Sequence, residues 1–193
     1  MKLAKSKPFF HAKALVDDKK AVGDGTRVWA FAHVMKGARV GSDCNIGDHA
    51  FIETGAVVGD RVTIKNGVSV WSGVTLADDV FVGPNAAFTN DLWPVSRKQT
   101  PFVTTQVGKG ACVGANATIV CGYRVGRYAM IGAGSVVASD VPDHTLVYGN
   151  PAQIKAFLCR CRQKLSFKSH RATCTSCGDK YHRGKSGEIT QIS

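Results

Sequence analysis

The chain has 193 residues, 44% of them hydrophobic, enough for one principal domain with a real core and an appendage. No apolar run approaches 18 residues, and the opening MKLAKSKPFFHAK places charges where an export signal needs an apolar stretch, so neither membrane insertion nor a secretory leader is expected. The formal charge is +11, and residues 153–193 carry +7 of it (9 basic, 2 acidic side chains), which suits polyanionic partners without choosing among phosphorylated small molecules and nucleic acid.

Residues 1–21 read as a lead-in. From Val22 an aliphatic or aromatic side chain then returns every sixth position: Val22, Val28, Val34, Val40, Ile46, Ile52, Val58, Ile64, Val70, Leu76, Val82 and Phe88. The period resumes one residue out of phase at Val107 and continues through Val113, Ile119, Val125, Ile131 and Val137. Glycine often follows the aliphatic residue, and the fifth position of the hexad is usually small (Thr26, Ala32, Ala38, Cys44, Ala50, Ala111, Ala117). Neither a helical period of 3.6 nor simple alternation yields six, whereas short strands joined at corners do. The expected fold is all-β: a triangular parallel solenoid over residues 22–152, three hexads to a coil, about 29 Å long at the usual strand spacing.

Between the two blocks, residues 89–106 (TNDLWPVSRKQTPFVTTQ) leave the period. A long irregular excursion from a regular domain is a candidate site, which singles out Asn90, Asp91, Trp93 and Arg97. The alternative is a packing loop with a buried tryptophan. Of the histidines, His33 and His49 fall within the hexads, both at outward positions, where each is either a general base, a substrate contact or an interface side chain.

After Gly149-Asn150-Pro151-Ala152 the period ends, and residues 153–193 form a separate unit with two short β segments, each bearing a cysteine pair. Cys159, Cys161, Cys174 and Cys177 are spaced as C-x-C, twelve residues, C-x2-C, a set able to converge on a structural Zn²⁺ in a ribbon-like extension, with His170 or His182 as possible substitute ligands. The absence of a leader argues for reduced or metal-bound cysteines and a cytoplasmic location. A zinc ribbon among basic residues also raises nucleic-acid binding, but Phe157, Phe167 and Tyr181 are its only aromatic companions, too few for a stacking surface, so that partner is not expected.

The eighteen hexads over residues 22–142, with GNPA after them, resemble the left-handed β-helix of hexapeptide-repeat acyltransferases. VFVGPN (Val80 to Asn85) followed by FTND and Pro94 resembles, within that family, the N-acetyltransferases of UDP- or dTDP-linked amino sugars of surface polysaccharide, the 3-amino-sugar group in particular. The resemblance implies a homotrimer with acetyl-CoA in clefts between prisms, lined here by Gly114, Ala133, Gly134, Asn150, Pro151 and Lys155. It implies a nucleotide-sugar substrate contacted by Asn66, Asp91, Trp93 and Arg97, with Asn90 beside the sugar amine and His33 facing the cleft as base or contact. The sequence has Val95 and Ser96 where the group often carries an arginine directly after the loop proline, with Arg97 two places on. Amide formation from a thioester asks mainly for alignment, a proton acceptor and an oxyanion contact. The zinc-binding γ-class carbonic anhydrases share the repeat but need three histidine ligands, which His33 and His49 do not make. A non-catalytic prism used as a scaffold is the other reading.

Overall fold

The computed structural model of the chain describes residues 6–98 and 100–192. From Arg27 on, each hexad forms a two- or three-residue strand and a corner, and up to the excursion each strand pairs in parallel with the strand 18 residues on: Arg27 opposes Asn45, His33 opposes Phe51, and Arg39 opposes Val57. Three walls result. The first contains Arg27–Val28, Asn45–Ile46, Thr63–Ile64, Phe81–Val82, Cys112–Val113 and Met130–Ile131. The second contains His33–Val34, Phe51–Ile52, Ser69–Val70, Ala87–Phe88, Thr118–Ile119 and Val136–Val137, and the third runs from Arg39–Val40 to Arg124–Val125. The chain is a left-handed parallel β-helix: the period suggested the coil, and the family resemblance its hand.

The period is the core. Every hexad aliphatic from Val22 to Val137 is buried, as are the small fifth-position residues, among them Thr26, Ala32, Cys44, Ala117 and Ser135. Each buried aliphatic side chain contributes about 1.5–3 kcal/mol relative to exposure. The corners require left-handed backbone, and the one joining the first wall to the second repeats it at Phe31, His49, Gly67, Asn85, Asn116 and Gly134. The glycine after the aliphatic residue has a different cause: a Cβ on Gly114 would lie 2.5 Å from the amide nitrogen of Ala133 in the next coil.

Across the 89–106 excursion the pairing offset is 31 rather than 18 (Val74 to Thr105, Phe81 to Cys112, Ala87 to Thr118). The insertion of 13 residues is two hexads plus one, which is why the second block of the period is shifted by one position. Parallel pairing also precedes Val22, since Phe9–Phe10 joins the first wall and Leu15–Val16 the second.

At the other end, Thr145–Gly149 closes the first wall and turns through an Asn150–Pro151 cis peptide into the antiparallel strand Ala152–Leu158, which pairs with Lys164–Leu165. A separate antiparallel sheet of Arg171–Thr173, Lys180–Arg183 and Ile189–Gln191 follows. It has a small core of its own, with Leu165, Ala172, Tyr181 and Ile189 buried beside Cys159 and Cys174.

Candidate functional site

The second wall carries an outward row in strict register. His33, Phe51, Ser69 and Ala87 occupy matching positions in successive strands. The His33 ring meets Phe51 edge-on at 5.5 Å, and Phe51 lies 5.6 Å from Trp71, whose indole N–H donates to the Phe88 carbonyl at 2.9 Å. His33 Nε2 lies 3.3 Å from Asp17 Oδ1, while Asp17 Oδ2 accepts the Lys36 amide at 3.0 Å. His49, the other histidine of the hexads, instead stacks on Phe31 at the neighbouring corner at 4.9 Å.

The excursion leaves the second wall directly after Phe88. Its base is closed by Val103 N–H donating to the Asn90 carbonyl at 2.9 Å, so the Asn90 side chain projects from a fixed backbone. Asp91 ties the loop internally: one oxygen accepts the Trp93 amide at 2.8 Å and the other the Thr100 hydroxyl. Trp93 is 80% exposed in the single chain, and Arg97 is exposed with left-handed backbone. Asn90 and His33 are not brought together. Three strand spacings separate their strands, roughly 14 Å along the prism axis.

The residues expected along the coenzyme A cleft do converge. Gly114 and Ala133 stack at the corner between first and second walls, and Gly134 N–H donates to the Ala115 carbonyl at 2.9 Å. Tyr148 packs on Gly132 there, with Lys155 Nζ 5.2 Å from its ring centroid, and Asn150 and Pro151 form the adjoining turn. Among the described residues the amides of Ala115 and Ala133 donate to no backbone carbonyl, leaving two N–H groups at this corner. Asn66 lies on the same corner several coils away, its carbonyl accepting from Asn85 at 3.0 Å. The loop sits at the opposite edge of the second wall, so one chain holds these two groups of residues apart.

In the extension the four cysteine sulfurs lie within 4.8 Å of one another, with Cys159 and Cys177 3.4 Å apart and Cys161 and Cys174 3.5 Å apart. A tetrahedral Zn²⁺ with Zn–S near 2.3 Å requires sulfurs about 3.8 Å apart, so the set fits that ion. The Cys177 amide, together with Cys161 and Cys159, pulls the Cys174 thiol down to about 6 against its desolvation, leaving one ligand ionised at neutral pH. The Asp179 amide draws Cys177 the other way from its neighbouring thiols, which prevail with burial and push it up to about 12. Tyr181 OH sits 3.1 Å from Cys159 Sγ, and Arg160 pairs with Asp179 at 2.7 Å, giving the cluster a supporting shell. His170 and His182 stand outside it; His170 Nδ1 lies 3.1 Å from the Arg183 carbonyl.

Sequence reading passed over several partners. Asp17 becomes visible only once the coil is extended before Val22, because the 18-residue offset then pairs Leu15 with His33 and leaves Asp17 two residues beyond that pair, within reach of the ring. Trp71 occupies an outward slot that the period leaves free. Tyr181, Asp179 and Arg160 carry no spacing signal at all.

Comparison with known proteins adds the following. The model of the bacterial transferase hexapeptide (six repeats) matches residues 21–54, and that of the hexapeptide repeat of succinyl-transferase matches 104–139. The chain is 49% identical over 185 residues, 95% of each protein, to the dTDP-3-amino-3,6-dideoxy-alpha-D-galactopyranose 3-N-acetyltransferase of Aneurinibacillus thermoaerophilus. It is 36% identical over 149 residues to the bifunctional protein GlmU of Alkalilimnicola ehrlichii, covering 69% of this chain and 31% of that one. The acetyltransferase domain of PglB from Neisseria gonorrhoeae superposes with a TM-score of 0.55 at 24% identity, over 78% of this chain and 58% of that one, a likeness of fold.

Proposed function

We propose a function from the premise that the chain belongs to the hexapeptide-repeat acyltransferases and, within them, to the nucleotide-sugar N-acetyltransferases. It is an enzyme that acetylates the amino group of a nucleotide-linked amino sugar. The observation that carries this is the 49% identity maintained across 95% of both chains, which takes in the excursion and the extension as well as the repeat. We assign acetyl-CoA as donor, a dTDP- or UDP-linked 3-amino sugar as acceptor, and surface polysaccharide as the destination of the product.

Asn90 orients the amine through its side-chain amide, and Asp91 holds the loop that carries Asn90, since its carboxylate is occupied by Trp93 N–H and Thr100. Trp93, Arg97 and Asn66 flank the sugar nucleotide. The donor lies along Gly114, Ala133, Gly134, Asn150, Pro151 and Lys155, where the unpaired amides of Ala115 and Ala133 supply donors for a developing oxyanion. The neutral amine attacks the thioester carbonyl, the tetrahedral intermediate collapses, and coenzyme A leaves as its thiol with the proton that the amine loses.

Because one chain places loop and donor corner at opposite edges of a wall, a homotrimer completes the site: a neighbouring prism brings its loop to this corner. Exposed outward apolar side chains, Leu15 and Phe31 among them, favour such contact. Sedimentation at micromolar concentration reads the trimer directly, and an active monomer would sink it. In the extension, Cys159, Cys161, Cys174 and Cys177 hold one structural Zn²⁺, which orders residues 153–193 and leaves no open position for substrate. We divide the chain accordingly into a lead-in of residues 1–21, whose strands Phe9–Phe10 and Leu15–Val16 continue two walls of the prism, a catalytic prism over 22–152 and this extension, and place it in the cytoplasm; among the described residues no helix is long and apolar enough to cross a membrane.

The testing experiment is thiol release from acetyl-CoA across dTDP- and UDP-linked amino sugars. Turnover with at least one 3-amino sugar is expected. None with any would favour a scaffold.

A further inference from the structure

An amine aligned at Asn90 trails a sugar, a diphosphate and a nucleoside, and the second wall offers a continuous path for them. Its outward row changes character along the prism. Ala87 and Ser69 are small and leave a concavity of about 220 Å³ bordered by Gly67, Trp71 and Asn85. The next two positions are the rings of Phe51 and His33, in edge contact at 5.5 Å. Ala87 belongs to the strand that feeds Asn90 and Ser69 to the next one, and the rings stand two and three strands away.

That height bears on His33. Roughly 14 Å along the axis is too far for proton transfer from an amine at Asn90. A symmetry-related copy does not shorten it, since rotation about an axis parallel to the prism leaves heights unchanged. A diphosphate bridge between sugar and nucleoside covers that span. We propose that Ser69, Phe51 and His33 form the subsite for the nucleoside diphosphate, with His33 at the nucleobase and Asp17 as its positioning residue. The assignment rests on the nucleotide-sugar reading above.

The polar edge follows from the Asp17 contact. A carboxylate only accepts, so in the neutral imidazole its 3.3 Å approach puts the proton on Nε2 and leaves Nδ1 as an acceptor. Among the described residues Nδ1 has no hydrogen-bond partner. Asp17 is itself fixed by the Lys36 amide, and Phe51 limits the ring's tilt. Aromatic stacking tolerates any base, so discrimination comes from the edge. An acceptor matches the N3–H shared by thymine and uracil and opposes cytosine, whose N3 is itself an acceptor.

The test is calorimetric binding of thymidine, uridine and cytidine diphosphates, and of coenzyme A, to the intact protein and to His33→Ala, Phe51→Ala and Asp17→Ala, alongside steady-state kinetics. Expected are tighter binding of the first two diphosphates than of the third, and losses of about 5- to 100-fold for them in His33→Ala and Phe51→Ala, the scale for removing one stacking side chain. KM for the nucleotide sugar should rise in step, with kcat and coenzyme A affinity unchanged. Asp17→Ala should narrow the discrimination against cytidine diphosphate. All three side chains are outward; thermal midpoints check the fold, and His33→Gln and Phe51→Leu replace any variant that unfolds. A fall in kcat at unchanged diphosphate affinity in His33→Ala would place His33 at the reacting amine and overturn the assignment. Variants that bind like the wild type while the wild type turns over strike this inference alone. A wild type that binds no diphosphate and acetylates no nucleotide sugar strikes the underlying reading as well.

Discussion

Arg162 Nη2 lies 2.6 Å from the carbonyl oxygen of Gly110, a residue 52 positions earlier in the chain. The same guanidinium donates through Nη1 to the Tyr128 carbonyl at 3.1 Å, so a side chain one residue after Cys161 bridges two successive coils at one corner. The cysteine-bearing extension is thereby fastened to the prism.

Arg162→Ala should loosen the extension without unfolding the solenoid. Charge-assisted hydrogen bonds contribute about 1.5–3 kcal/mol each, less where solvent competes, as it does here. Hydrogen exchange should speed up across residues 153–192 and at the 110 and 128 corners, with the remaining wall amides unchanged. Uniform exchange throughout would mean that the extension is held elsewhere.

Metal analysis should return one zinc per chain in protein purified without chelator. Chelation should expose a cleavage site after Pro151 while the trimer and most of the turnover survive, because acetyl transfer from a thioester needs no Lewis acid and four thiolates leave no open coordination position. Full loss of activity with an intact trimer would refute a purely structural role.

Asn90→Ala should lower kcat/KM by an amount equivalent to about 2–4 kcal/mol of transition-state stabilisation, the scale for one preorganised hydrogen-bonding group. The Asn90 contact with Val103 uses the backbone carbonyl, so the loop base should survive the substitution. A variant with wild-type turnover would move the amine elsewhere.

Stability should fall with pH below about 6.5, the ordinary histidine value. Burial holds His144 below it, opposed by its bond to Leu158 and by Asp143, and aided by Arg127 and Arg162. The unfolded chain takes up a proton at that value while the folded chain resists, so the loss begins there and continues, at up to about 1.4 kcal/mol per pH unit, until His144 is protonated in the folded state as well. His144→Asn keeps a donor for the Leu158 carbonyl and tolerates the left-handed backbone at this position. Its thermal midpoint should be flatter between pH 7 and 5.5; an identical slope would assign the effect to other groups.

Sequence alone determined the solenoid, because a period of six repeated over eighteen hexads has one physical solution: each aliphatic residue from Val22 to Val137 points into a shared, narrow interior. It also determined the cysteine set and the place where the regular coil opens, since both are local spacings. Tertiary structure decided which side chains meet at each height and corner. The three strand spacings between Asn90 and His33 follow from the nine unbroken hexads that link Val34 to Phe88, but only the folded wall shows which side chains line the way between them. Asp17 joined His33 only through a strand that starts before the hexads, and Arg162 reached Gly110 only because the extension folds back on a coil made fifty residues earlier. Such contacts are set by how the chain returns in space, and a repeat that treats every coil alike carries no mark of which coil it will meet.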